Sequence, residues 1–169
     1  MLAGTTPILV HNTCGNGVYE QGGSVRYHSL DADGRATGVS ASLSKSMLDT
    51  GTAANGAIEP SGWGGNGTLY NEARGHLLAD RLGGSGDLEE NLVTLTQDPT
   101  NSPIMRDEVE GQVYDAVNRG ETVQYNVTAI YGEDGDVPPI GLQIEAFGNR
   151  GFYLNRYLEN PAGMFGMDG

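Results

Sequence analysis

The chain has 169 residues, enough for one domain with a modest core. Its net charge is −13, from 22 acids against 9 bases, which excludes attachment to nucleic acid through a broadly basic surface. With 27 glycines and 37% hydrophobic residues, the composition predicts short elements, many turns and Gly-rich loops. No apolar run is long enough to span a bilayer and no signal-peptide pattern opens the chain, so a soluble domain is expected. The single cysteine, Cys14, excludes an internal disulfide.

Pro7-Ile8-Leu9-Val10 is a short apolar β-type run ending at His11-Asn12, ahead of Thr13-Cys14. A His beside an Asn, with a hydroxyl or thiol residue next, suits Asn cyclisation with peptide cleavage. The His protonates the leaving amide while the Asn amide attacks its own carbonyl. This junction resembles the end of intein-like Hint domains and the junction preceding C-terminal toxin domains of bacterial polymorphic toxins. The resemblance implies that 1–12 is a remnant of an upstream domain, with His11 and Asn12 its cleavage residues. Residues 13–159 then form one domain and 160–169 a flexible tail. The rest of a Hint domain is absent, so self-cleavage is not expected.

Val25 and Tyr27 predict a short strand, Asp31 to Gly34 a turn, and the run through Val39 another strand. The Asp31-Ala32-Asp33-Gly34 fragment lacks the remaining ligands of a calcium loop and is read as a turn only. A helical turn is predicted near Ser44 to Leu48, and a loop over Gly62 to Gly67. Leu77 to Leu82 predicts a brief helical turn, broken by Gly83-Gly84, and Leu92 to Leu95 a strand. The main helix is predicted over about 103–119. Ser102 can cap it, Pro103 suits its first turn, and Asp107 and Glu108 complement its dipole. Met105, Val109, Val113 and Val117 mark its buried face, and Gly120 stops it. Val123 to Ala129 alternates as a half-exposed strand. Ile140 to Phe147 and Phe152 to Leu158 follow, giving an antiparallel meander. The fold class is α+β.

Three residue groups carry chemistry: Arg74-Gly75-His76, the Asn91 that opens an apolar strand, and Asn101 ahead of a helix bearing Glu110. A neutral histidine can accept a proton near neutrality. A hard cation takes oxygen ligands and keeps several waters, so one Asn carbonyl with water is a reasonable site. Arg81 and Arg106 are candidate phosphate contacts. Arg35, a lone arginine like Arg81, is a further candidate of the same kind, and His28 reads as structural. Trp63 and Tyr70 could stack on a base or close a loop.

The segment from Asn71 to Gln112 resembles the DNA/RNA non-specific endonuclease family of the ββα-metal type. The wider stretch from about Tyr27 to Tyr157 looks like the nuclease toxins of polymorphic secreted proteins. The resemblance implies a metal-dependent nuclease with His76 as general base and Asn101 as direct ligand of Mg²⁺ or Mn²⁺. Glu110 would hold metal-bound water or orient the site. Arg74 would stabilise phosphate charge, and Asn91 would fix the hairpin or help position His76. Nine residues separate Asn101 from Glu110, two and a half α-helical turns, so Glu108 and Asp107 stand as alternatives to Glu110. The family's usual Asp before Arg-Gly-His is Ala73 here. The same resemblance implies a secreted toxin delivered into a target cell's cytoplasm, with DNA or RNA as substrate and a cognate immunity protein as partner. The acidic surface would suit basic patches on that protein. A second reading, motivated by the −13 charge and Ala73, is a catalytically silent binding module.

Overall fold

The computed structural model describes residues 18–20, 23–65 and 71–161. The His11-Asn12 junction, Cys14, Tyr70 and most of the expected tail lie outside them. Among the described residues there are eight strands: β1 Val18–Glu20, β2 Ser24–Tyr27, β3 Gly38–Leu43, β4 Glu72–His76, β5 Leu92–Thr96, β6 Val123–Ile130, β7 Gly141–Gly148 and β8 Tyr153–Glu159. A helical segment, Gln97–Glu110, leads into helix α1, Gly111–Asn118.

Six strands form one antiparallel sheet in the order β1-β2-β3-β6-β7-β8, and β4 and β5 form a separate hairpin. The expected meander is the β6–β7–β8 half of the large sheet. The sequence-distant pairing of β3 with β6, Val39 opposite Val127 and Ala41 opposite Tyr125, joins the two halves. In β6 the pattern alternates strictly: Val123, Tyr125 and Val127 are buried, whereas Gln124 and Thr128 are exposed. One sheet face therefore holds the core. The other carries the exposed Phe147 and Tyr153, opposite one another across β7 and β8.

The hairpin and the helix cover the buried face. Met105, Val109, Val113 and Val117 are all at most 1% exposed, which fixes the apolar stripe read from the sequence. The start of this helix is less regular than expected. Asp98 and Ser102 are extended, and each precedes a proline, which disfavours the α region for the residue before it. At the join the Gly111 N–H bonds to the Arg106 carbonyl, five residues back, a wider turn than in an α-helix. Gly120 ends the helix with φ +95°, a conformation glycine adopts without Cβ strain.

One boundary differs from expectation. Asn160, assigned by the sequence to a flexible tail, is 7% exposed and hydrogen-bonded to Thr94, Thr96 and Pro139. A buried amide needs partners, and these supply them.

Truncating a fully buried side chain of β7 tests this packing. Leu142→Ala is expected to cost about 2–5 kcal/mol in a denaturant melt. Gln124→Ala, on the open face, should stay within about 0.5 kcal/mol of the parent.

Candidate active site

His76 ends β4, and its position depends on a loop that sequence reasoning missed. The segment 51–55 lies along 80–86: Gly51 N–H bonds to Asp80 O, Thr52 N–H to Gly84 O and Asn55 N–H to Gly86 O. The approach is so close that a Cβ on Gly51 would sit 2.2 Å from the Gly84 carbonyl oxygen, and one on Gly86 2.0 Å from that of Ala53. Asp87 ties the loop further by accepting from Thr52 and Asn55. This places the Thr52 carbonyl 3.0 Å from His76 Nε2. A carbonyl oxygen only accepts, so Nε2 carries the proton and Nδ1 is left with the lone pair.

Burial holds the His76 pKa below the ordinary histidine value, against the opposing pull of the Thr52 carbonyl and the Asp80 charge. The imidazole is therefore neutral at neutral pH.

Beside it is an open depression of about 220 Å³, lined by Ala53, Ala54, Arg74, His76, Ala79, Asp80, Asn101, Arg106 and Glu110. Arg74, His76, Asn101, Arg106 and Glu110, all singled out in the sequence, converge here. The nine-residue spacing from Asn101 to Glu110 is accommodated because Asn101 precedes the extended Ser102 and lies outside the regular helix. The two alternative acids are engaged elsewhere. Asp107 receives two hydrogen bonds from Arg106, and Glu108 pairs with Arg156 at 2.5 Å.

Glu110 has its pKa pushed up to about 7, chiefly by burial. Arg81 and Arg106 pull it down, and Asp80 and Asp107 push it up. Such a carboxylate gains from a nearby cation. Among the described residues no group of three or more His, Cys, Asp and Glu side chains forms a ready metal cage. Among the lining residues the side chains that carry oxygen are Asn101, Glu110 and Asp80, a hard donor set that fits a divalent cation retaining much of its water. Asn101 Nδ2 donates to Gln97 Oε1 at 3.1 Å, which leaves its carbonyl oxygen as the acceptor. Asp80 was not singled out from the sequence. Its only local signal is an acid four residues beyond His76.

The arginines divide by how firmly they are held. Arg74 donates to the Ile58 and Gly56 carbonyls and lies 4.2 Å from the Trp63 ring centroid, so Trp63 closes a loop over it. Arg106 is paired with Asp107 on an exposed surface, where an ion pair contributes little and a phosphate competes readily. Arg81 stands outside the depression. It lies 4.8 Å from the Tyr114 ring, lines a neighbouring hollow with Asp49, Gly51 and Asp80, and acts on Glu110 through its charge.

Asn91 does not reach the depression. It is fully buried, and its amide bonds to Leu78 N–H, Leu78 O and Ser85 O. It holds the turn that follows His76, which excludes direct contact with substrate. Arg35 and His28 are also remote: Arg35 joins Asp31 and Tyr131, and His28 bonds to Ser40.

The antiparallel sheet, the β4–β5 hairpin and the following helix place this chain among ββα-metal-type folds. The family model for DNA/RNA non-specific endonucleases matches residues 15–147, and the chain belongs to that family. Comparison with curated protein sequences gave no match. Among solved structures, NucA from Streptococcus agalactiae with magnesium bound is similar at a TM-score of 0.69 and 22% identity, over 96% of this chain and 80% of that one. Sda1 nuclease with bound zinc also gives 0.69 and 22%, over 85% and 76%. A chain described as an extracellular nuclease gives 0.51 and 19%, over 94% and 92%.

Asn91→Ala removes partners from three backbone groups, two of them buried. It is expected to lower stability by at least about 2 kcal/mol in chemical denaturation, the mark of a residue that holds the turn.

Proposed function

We propose that this chain is a divalent-metal-dependent nuclease that hydrolyses phosphodiester bonds of DNA, RNA or both without sequence preference. The observation that carries this reading is one depression holding a histidine of fixed tautomer together with Asn101, Glu110 and two arginines. Nδ1 of His76 accepts the proton of the attacking water. Thr52 keeps the imidazole oriented throughout. Arg106 binds the phosphate, and Arg74, locked against Trp63, supplies a fixed positive charge at the wall. Asn101 would be the direct ligand of Mg²⁺ or Mn²⁺, with Glu110 ordering its water. When bound, that ion neutralises charge developing on the leaving oxygen.

The biological setting we propose is a secreted antibacterial effector that enters a target-cell cytoplasm and is held inactive in its producer by an immunity protein. Support for secretion comes from the similar chains described as extracellular nucleases. Support for the effector role comes from the His11-Asn12 junction in the sequence. No helix among the described residues is long and apolar enough to cross a membrane.

Purified protein should cleave plasmid DNA or RNA with Mg²⁺ and stop when the ion is chelated. His76→Ala should lower the rate about 10²–10⁴-fold with its melting behaviour kept. Undiminished cleavage by that variant would refute the assignment. The pH profile has a definite sign: imidazolium cannot accept a proton, so the rate falls as pH drops through the depressed His76 pKa.

A further inference from the structure

Just beyond the end of β8, the Asn160 side chain meets the outer edge of β5. Its Oδ1 accepts from Thr96 N–H at 2.8 Å, while Nδ2 donates to Thr94 O at 3.0 Å and Pro139 O at 2.7 Å. A C=O and an N–H two residues apart on one strand edge are the groups that a parallel neighbouring strand would engage. One amide thus stands in for a third strand beside the hairpin. Two hydroxyls reinforce the join: Thr96 donates to Pro161 O, and Thr100 to Glu159 O at 3.0 Å.

These ties bear on the site through particular residues. Thr94 and Thr96 lie opposite Arg74 and Glu72 in the hairpin register, and Thr100 immediately precedes Asn101. Asn160 does not itself line the depression, so any influence passes through the residues it holds.

We propose that Asn160 is a positioning residue: by locking β5 and the Thr94–Thr100 stretch to the end of β8, it fixes where Asn101 presents its oxygen to a divalent cation. The inference rests on the nuclease reading above. It separates metal affinity from general stability, because a clamp that merely held the fold together would leave metal binding by the folded protein unchanged.

Asn160→Asp keeps an acceptor for Thr96 but replaces the donor to two carbonyls with an oxygen. Thr100→Val removes the neighbouring tie alone. Glu121→Ala is the control. Glu121 is also buried and accepts from Arg150 and Phe152 N–H, at the opposite end of β8. The measurement is calorimetric titration with Mn²⁺ alone, below each variant's melting temperature, alongside the Mg²⁺ concentration for half-maximal cleavage. Asn160→Asp should weaken Mn²⁺ binding about tenfold, as loss of a group supporting a metal ligand does. Thr100→Val should shift it less in the same direction, and Glu121→Ala should lower the melting temperature without moving it. Unchanged Mn²⁺ binding in Asn160→Asp, or an equal loss in Glu121→Ala, overturns the proposal. Should Asn160→Asp fail to fold, unchanged binding in Thr100→Val overturns it instead. A parent protein that binds Mn²⁺ but cleaves nothing defeats the nuclease reading while leaving the calorimetric comparison to decide on Asn160. A parent that does neither defeats both.

Discussion

A two-stranded hairpin is marginal in water, and here one carries the histidine of the site. β4 and β5 make no ladder with the large sheet, so their placement depends on side chains that reach across to them. Tyr125, fully buried in the central strand β6, donates its hydroxyl to Leu77 O, the residue after His76. The Tyr27 hydroxyl accepts from Ser85 N–H, Asn91 closes the turn between them, and Asn160 takes the outer edge. Each tie joins a buried polar group to a backbone group, where a lost partner costs more than the bond itself contributes. The hairpin is thus fixed in orientation by directional contacts, and the apolar packing beneath it supplies the bulk of its stability.

The same arrangement accounts for how so acidic a chain offers a site to a polyanion. Cations are few, and several are committed: Arg35 to Asp31, Arg74 to two loop carbonyls, Arg156 to Glu108. Arg106, exposed and held only by its neighbour Asp107, is the one in the depression that a phosphate can recruit at small cost. Glu110 and Asp80 add negative charge beside it, which a bound cation would offset. Attraction at this site is therefore short-ranged, in keeping with a net charge of −13.

Much of this was legible in the sequence because it is local. The four-residue spacing from Met105 to Val117 gave the helix face, and the alternation in Val123 to Ala129 gave the central strand. The order Arg74, His76, Asn101, Glu110 gave the members of the depression. The missed features depend on contacts between distant segments. Nothing in Thr52 marks its carbonyl as the partner of His76, because that role comes from a loop pairing made by glycines at 51, 84 and 86. Asn91, expected to fix the hairpin or help position His76, holds the turn after His76 from inside the core, through partners at 78 and 85 that the sequence did not mark. Asn160 carried no signal, since an Asn among Gly and Pro ordinarily reads as a loose end.

The tie at Asn160 also has a temporal side. Its bonds to Thr96 and Thr94 reach back 64 and 66 positions along the chain. A ribosome adding about 5–20 residues per second takes roughly three to thirteen seconds to cover that distance. For that interval the outer edge of the newborn hairpin is without its Asn160 partner, and it gains that partner only once β8 has been made.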